Sequence, residues 1–157
     1  MAELFTNPNT QNDIIDINLD SIRKKRIRIN QDDSKILELD TTDLNIVDRF
    51  RKKYDEMVAL VEDSFKNIAT TEDSDVDKLG ESITDVDTKM RRIIDEIFNS
   101  NVSELCASSG SMLDPINGKF RFEHIFEVLI PLYENDITNE LRKLNTRVQK
   151  HTSKYIK

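Results

Sequence analysis

The spacing of the apolar residues changes near Asp40, and this change constrains the fold more than any other feature of the sequence. Before Asp40 apolar and polar residues alternate, which is typical of a strand with one buried face. After it, apolar residues recur every third or fourth position, which is typical of an amphipathic helix. The chain is therefore predicted to begin with a small β-element and to continue as helices. Its three glycines and three prolines favour long regular elements.

Three short segments before Asp40 have the alternation of strands. They are IIDINLD, RIRIN and KILEL, and QDDS between the last two is predicted as a turn. One face of each strand should therefore point to the core. The predicted core positions are Ile15, Ile17, Leu19, Ile27, Ile29, Leu37 and Leu39.

The basic run RKKRIR places five cations close together in a chain whose net charge is −7. Arg26 and Arg28 are interpreted as the outer face of the second strand, where Glu38 can lie opposite either of them. Lys24 and Lys25 are expected in the connection that precedes this strand. Strand geometry therefore explains part of the run without a nucleic-acid partner.

Two long helices are predicted in the middle of the chain. The first has Thr42 or Asp43 as its expected cap. The second begins near Ser74, because Ser74 and Asp77 form a weaker version of the capping box and a heptad-like apolar series follows. The apolar positions are Leu44, Val47, Phe50, Tyr54, Met57, Val58, Val61, Phe65 and Ile68 in the first helix, and Val76, Leu79, Ile83, Val86, Met90, Ile93 and Ile97 in the second.

A less regular stretch separates the second helix from a third. VSELC is predicted as one short helical turn, and the DP and NG dipeptides within residues 114–118 are turn signals. The third helix is predicted from Phe120, and Pro131 must kink it or begin a new helix. Beyond Ile137 its stripe narrows to one residue per turn, so its end is expected to be only partly packed on its own chain. The apolar positions are Phe122, Ile125, Phe126, Leu129, Leu132, Tyr133, Ile137, Leu141, Leu144 and Val148.

The predicted fold class is α+β and mainly α, with a small N-terminal antiparallel β-element packed with three main helices. Residues 1–13 are expected to form a flexible N-terminal tail, residues 14–149 a single α+β domain, and residues 150–157 a basic C-terminal tail. A length of 157 residues suits one domain. With 37% hydrophobic and 34% charged residues, the core should be modest and the surface large.

One acidic segment partly matches a calcium-binding loop. Asp73, Asp75 and Asp77 occupy its first, third and fifth positions. Lys78 stands where the loop needs a turn glycine, and Thr84 stands where it needs a bidentate glutamate. Acidic residues at a helix start explain the segment better, because they suit the helix dipole.

The cysteine and the two histidines do not predict a metal site or a catalytic site. Cys106, His124 and His151 lack the paired spacing of zinc ligands. Cys106 is expected to be a small buried apolar residue, and His124 to lie at a core edge or helix surface. A nucleophile pair of Cys106 and His124 would have no evident third group or oxyanion loop. We therefore expect no catalysis, no metal and no cofactor.

Charge and composition disfavour several classes of protein. The net charge of −7 does not suit a general nucleic-acid binder. The basic run and the C-terminal RKLNTRVQKHTSKYIK remain candidate contacts, but both lack interleaved aromatic residues apart from Tyr155. A single cysteine excludes an intramolecular disulfide. No apolar run is long enough to span a membrane, and the first residues lack the features of a signal peptide.

Several stretches resemble a family of small proteins from tailed phages and prophages of Gram-positive bacteria. They are DINLDSIRKKRIRIN, ILELDTTDLNIVDRFRKKYDEM, SGSMLDPINGKFRFEHIFEVLIPLY and the closing KHTSKYIK. The family is that of tail assembly chaperones, which in siphophages bind the tape-measure protein while the tail tube polymerises around it. The resemblance covers most of the chain after Asp13. It implies a non-enzymatic protein in the cytoplasm of the bacterial host and transfers no catalytic residues.

The expected function is therefore that of a tail assembly chaperone with the helical tape-measure protein as its client. Helix-in-groove packing would cover the client's apolar stripes, and self-association is a second expected contact. The candidate client-binding residues are the apolar Ile137, Leu141 and Leu144 and the cationic Arg142, Lys143 and Arg147, which suit an acidic client. Five apolar residues earlier in the helix are candidates either for the same surface or for the core: Phe122, Ile125, Phe126, Leu129 and Tyr133.

Two other functions remain open from the sequence. A structural tail or head-tail connector protein would use the same helices for permanent ring contacts. A nucleic-acid-binding regulator would depend on the basic segments alone and would show steeply salt-dependent DNA binding. A chaperone should be soluble as a small species, whereas a connector should form rings.

Overall fold

The structure, a computed structural model, describes residues 13–70 and 76–153, without the side chains of residues 65, 67–70, 76, 78, 79 and 151–153. Its described part is mainly helical with one small antiparallel strand pair near its start, so the predicted fold class is confirmed. The predicted division into tails and one domain stays a prediction. The elements are α1 (Asp20–Arg23), β1 (Lys24–Ile29), β2 (Asp32–Asp40), α2 (Asn45–Thr70), α3 (Val76–Phe98), α4 (Val102–Cys106), β3 (Pro115–Ile116), β4 (Lys119–Phe120) and α5 (Arg121–Ser153).

Strands β1 and β2 pair antiparallel, with one of the two predicted partners opposite Glu38. Arg26 lies opposite Glu38, and Arg26 Nε is 3.8 Å from Glu38 Oε1. On the other face Leu37 and Leu39 are buried, and Ile27 packs against the same core. The second and third predicted strands and their two faces are therefore confirmed.

The turn between β1 and β2 is shorter than predicted. It consists of Asn30 and Gln31, whose φ angles are 53° and 58°. Two-residue turns with positive φ match the twist of paired strands. The following Asp32 is already in β2, where its carboxylate accepts hydrogen bonds from the backbone N–H (2.9 Å) and the hydroxyl (2.6 Å) of Ser34.

The prediction that IIDINLD forms a strand is wrong. Residues 13–19 have no regular structure, and Ile15, Ile17 and Leu19 are 91%, 80% and 61% exposed. In the described chain no strand pairs with this segment, so its backbone N–H and C=O groups gain no ladder hydrogen bonds. The expected connection at Lys24–Lys25 is wrong as well, since the one-turn helix α1 supplies the connection and both lysines belong to β1.

The core lies where α2 and α3 pack together and against α5. The predicted α3 series is buried at Val86, Met90, Ile93 and Ile97, although the side chains of Val76 and Leu79 lie outside the described part. The prediction of which α2 residues face the core is partly wrong. Its buried or half-buried face carries Ile46, Phe50, Met57, Leu60 and Val61, so Leu44, Val47, Tyr54 and Val58 remain exposed.

Aromatic rings join the three long helices. The ring of Phe126 in α5 lies 5.7 Å from that of Phe50 in α2 and 5.7 Å from that of Phe98 in α3. Phe98 also lies 5.8 Å from Tyr133. Burying one such side chain contributes roughly 1.5–3 kcal/mol to stability. These contacts therefore fix the first half of α5 against α2 and α3.

The helix starts and the connection before α5 agree with most sequence signals. The carboxylate of Asp43 accepts the backbone N–H of Asn45 (3.0 Å), so Asp43 rather than Thr42 caps α2. Ser74, the expected cap of the next helix, lies outside the described residues.

VSELC forms the short helix α4. The NG dipeptide turns the β3–β4 hairpin, with φ of 51° at Asn117 and 78° at Gly118.

Helix α5 is continuous through Pro131, which excludes a new helix at that position. It begins at Arg121, one residue later than predicted, because Phe120 belongs to β4. Every residue from 138 to 150 is exposed. The second half of α5 therefore extends beyond the core, as the narrowing stripe predicted.

Candidate functional site

A groove of about 800 Å³ lies between the second half of α5 and the start of the β-element. The side chains at its base are held by ion pairs, and its walls carry exposed apolar residues. Such a combination suits a docking surface better than a reaction site, because the groove is open to water. The apolar lining consists of Ile22, Leu44, Ile137, Leu141 and Leu144.

Asp136 connects the two sides of this groove. Its Oδ2 atom lies 2.7 Å from Lys25 Nζ in β1 and accepts a hydrogen bond from the buried hydroxyl of Thr41 at 2.5 Å. The ammonium of Lys25 and, secondly, the hydroxyl of Thr41 lower the pKa of Asp136 below its ordinary value. The carboxylate is therefore ionised at neutral pH and joins α5 to β1 and to Thr41, the residue that follows β2.

Most cations of the basic run lie beside carboxylates. Lys24 is the exception, with no ion pair inside residues 13–70 and 76–153. A cation already beside a carboxylate contributes less to the attraction of phosphate groups. The four pairs are Arg23–Asp40 (3.0 Å), Lys25–Asp136 (2.7 Å), Arg26–Glu38 (3.8 Å) and Arg28–Asp33 (2.9 Å).

The structure brings four of the six predicted client-binding residues into the groove: Ile137, Leu141, Lys143 and Leu144. Ile137 is half-buried against the core, whereas Leu141 and Leu144 are 48% and 52% exposed. Lys143 Nζ lies 3.1 Å from Glu140 Oε1. Whether these residues bind a client stays a prediction.

The other two predicted residues, Arg142 and Arg147, are exposed on α5 but do not line the groove. Arg142 instead borders a shallower surface with Asn139 and Thr146. Both guanidinium groups therefore face solvent beside the stripe and can meet a partner that lies along α5.

The earlier part of the α5 stripe is core, which removes it from the candidate client-binding surface. Phe122, Ile125, Leu129 and Tyr133 are between 2% and 9% exposed, and Phe126 packs against them half-buried. Burial also raises the pKa of Tyr133 to about 12. These side chains are buried in the core or packed against it, so a client cannot reach most of their surface.

Sequence reasoning missed two apolar residues of the groove. Ile22 lies in α1 and is 80% exposed; a helix of one turn is too short to give a periodic signal. Leu44 matched the spacing of the first helix, but it precedes α2 and is 58% exposed. The basic run was visible in the sequence, yet nothing local indicated that Lys25 reaches α5.

Cys106 and His124 share a smaller groove of about 310 Å³ beside the end of β1. His124 Nε2 donates a hydrogen bond to the carbonyl oxygen of Ile116 (2.6 Å), and no hydrogen bond joins it to Cys106 in the described chain. Burial raises the pKa of Cys106 to about 11, although the charge of Arg121 opposes the shift. The thiol is therefore neutral at neutral pH and a poor nucleophile.

The described residues contain no group of three His, Cys, Asp or Glu side chains placed to share a metal ion. Asp73, Asp75 and the side chains of Lys78 and His151 lie outside the described part. Within residues 13–70 and 76–153, no helix combines the length and apolar character needed to cross a membrane.

Comparison with known proteins gives no match to a protein-family model, to a curated protein or to a solved structure.

Proposed function

We propose that the protein is a non-enzymatic tail assembly chaperone of a Gram-positive siphophage or prophage and binds the helical tape-measure protein during tail assembly. The observation that carries the proposal is the second half of α5, which extends from the core as an exposed amphipathic helix beside an open groove. The resemblance of the quoted stretches supplies the client. The protein would act in the cytoplasm of the bacterial host.

The spacing of the exposed apolar residues suits a helical client. Ile137, Leu141, Leu144 and Val148 follow one another at intervals of four, three and four, which is the spacing of a coiled-coil seam. Val148 is 59% exposed, so the seam becomes more open toward the end of the helix. A long helical client with a bare apolar stripe would aggregate, and packing against this seam would cover it.

The charges beside the seam favour an acidic client. From Arg142 to Ser153 the chain carries Arg142, Lys143, Arg147 and Lys150 and no acidic residue. Charge complementarity of this kind mainly accelerates encounter, whereas apolar contact determines how long the complex lasts. The base of the groove is fixed by the ion pair of Lys25 with Asp136, so the client would meet a preformed surface.

Co-expression with the tape-measure protein of the same genome tests the proposal. The wild-type protein should keep the client in the soluble fraction. The double variant Leu141→Asp with Leu144→Asp should lose the client, because two charges would lie in the apolar seam. Both residues are about half exposed, so the variant should keep its circular dichroism spectrum.

A matched control introduces the same charges elsewhere. Val47→Asp with Val128→Asp changes two exposed valines, 63% and 61% accessible, that do not line the groove. This variant should retain the client. If the client is equally soluble alone, the chaperone function is wrong. If the protein remains as a stoichiometric ring in finished particles, the structural connector takes its place.

A further inference from the structure

A second groove, of about 380 Å³, lies between α2 and the first half of α5. Its floor is apolar and aromatic, and includes Phe50, Phe126 and the side chains of Tyr54 and Val58, which are 50% and 36% exposed. Three glutamates border it, namely Glu62, Glu123 and Glu127, and its described lining contains no lysine or arginine. Glu127 is paired with Lys119, which lies outside the lining, so Glu62 and Glu123 contribute most of the negative charge of the described lining. The groove therefore suits an amphipathic helix with an apolar stripe and flanking cations.

The end of α5 is a helix of this kind. Leu141, Leu144 and Val148 form its exposed apolar stripe, and Arg142 and Arg147 lie beside that stripe. We call these five residues the basic stripe. At 3.6 residues per turn, the basic stripe's apolar residues continue the same face of α5 that borders the second groove at Glu123 and Phe126.

The basic stripe cannot reach the groove of its own chain. Helix α5 is continuous, and the roughly twenty residues from the groove to the stripe span about 30 Å at 1.5 Å per residue. Contact between the two surfaces therefore requires another molecule. An acidic client suits the basic stripe but not a groove bordered by glutamates, because like charges repel across an interface.

We propose that the second groove binds the basic stripe of a second copy of this chain. If two α5 helices lie antiparallel across a two-fold axis, the stripe of each copy meets the groove of the other. One arrangement then makes both contacts at once, and closed two-fold dimers are the commonest assembly of identical chains. The contact covers the apolar stripe at the end of α5 when no client is bound.

Reversing charges on the two sides of the contact tests this dimer. The experiment uses the protein alone, without a client, so its result is independent of the chaperone proposal. Light scattering and sedimentation over a range of concentrations should show a monomer–dimer equilibrium that weakens with added salt. Arg142→Glu with Arg147→Glu should raise the dimer dissociation constant at least about tenfold. Glu62→Lys with Glu127→Lys should do the same, because each change places like charges at the contact.

A variant with all four changes has reversed charges on both sides of the contact. Its dimer dissociation constant should lie within about threefold of the wild-type value. Arg51→Glu with Lys52→Glu is the matched control, because these α2 residues are 79% and 70% exposed outside the groove. The control should dimerise as wild type does. A wild-type protein that is monomeric at every concentration overturns the proposal. A combined variant that stays monomeric, or a control that weakens the dimer equally, also overturns it.

Cross-linking gives a second measurement, because a disulfide traps the dimer covalently even when it is weak. A Leu144→Cys chain mixed with a Tyr54→Cys chain should form a disulfide-linked heterodimer on mild oxidation, whereas Leu144→Cys mixed with Arg51→Cys should not. The native Cys106 is partly buried with a raised pKa, so it should not compete. Equal cross-linking of both mixtures contradicts the proposed contact.

Discussion

The ammonium group of Lys25 lies 2.7 Å from the carboxylate of Asp136, and this ion pair joins the β-element to the helix that carries the candidate binding surface. Thr41, the residue directly after β2, donates a hydrogen bond from its hydroxyl to the same carboxylate oxygen. One side chain of α5 thus contacts both a residue of β1 and the residue that follows β2. The groove keeps its shape because these three residues fix its base.

Removing the charge of Asp136 should destabilise the protein near neutral pH. The variant Asp136→Asn keeps the size of the side chain but loses the ion pair with Lys25 and weakens the hydrogen bond from Thr41. We expect the free energy of unfolding at pH 7 to fall by about 1–2 kcal/mol. Urea denaturation at pH 7 measures this free energy. Asp33→Asn is the control, because Asp33 is 89% exposed and its pair with Arg28 should contribute less than about 0.5 kcal/mol.

The same carboxylate should make stability depend on pH. Its pKa in the folded protein is lowered, first by Lys25 and then by Thr41. A lowered pKa contributes stability that is fully present above the ordinary carboxyl pKa, 3.8 for this group, and is lost as the pH falls through the folded-state value. The difference between wild type and Asp136→Asn should therefore shrink below pH 4. An equal difference at pH 7 and pH 3 would contradict this origin.

The sequence predicted the parts of the fold that depend on local periodicity. Alternation identified β1 and β2, and the positions of Leu37 and Leu39 followed from it directly. The same pattern failed at Ile15 and Ile17, because alternation does not specify a neighbouring strand and the described chain provides none for residues 13–19. A strand forms only beside a partner strand, and whether such a strand is available depends on the whole fold.

The candidate site was predicted only in part for a related reason. The narrowing stripe of α5 predicted that Leu141 and Leu144 are exposed, as they are, but it left open whether Leu129 and Tyr133, which are buried, belong to the surface or to the core. The opposite wall of the groove depends on contacts between distant parts of the chain. The ion pair of Lys25 with Asp136 is of this kind, and no spacing in the sequence indicates it.

Arg91 should be one of the most important polar residues for stability. Its Nη2 atom donates a hydrogen bond to the carbonyl oxygen of Ala107 (2.8 Å) and another to that of Gly110. Its Nε atom lies 2.9 Å from Asp87 Oδ2. The guanidinium therefore binds the loop after α4 to α3, and a lysine cannot reproduce its planar set of donors.

The variant Arg91→Lys should accordingly lower the free energy of unfolding by about 2 kcal/mol, since partly buried carbonyl oxygens lose their donors. The neighbouring Arg92→Lys is the control. Arg92 is 63% exposed, and its Nη2 atom is 3.7 Å from Glu56, so the change should cost less than about 0.5 kcal/mol. Urea denaturation of both variants compares their losses in the free energy of unfolding. Similar losses would show that the loop contacts of Arg91 contribute little.

Two glycines should respond to alanine with opposite signs. Gly118 has φ of +78° in the β3–β4 turn, where a side chain is strained, so Gly118→Ala should destabilise the protein by about 1 kcal/mol. Gly80 lies within α3, and a Cβ atom there would meet nothing within 4 Å. Gly80→Ala should therefore stabilise the protein by about 0.5–1 kcal/mol. Thermal melting of both variants checks the signs; a shift in the same direction would contradict one of the two assignments.

The end of α5 should open more easily than α3. Residues 138–150 are all exposed, whereas α3 buries Met90, Ile93 and Ile97 completely. Amide hydrogens exchange through local opening, and a helix with few buried side chains opens at low free-energy cost. Exchange after Arg142 should be at least about tenfold faster than in residues 80–97 when the protein is dilute. At concentrations that favour the proposed dimer, the end of α5 should become protected while exchange in α3 stays unchanged. Equal protection of both helices in the dilute protein would mean that the end of α5 is already packed, and neither a client nor a second copy would then find it exposed.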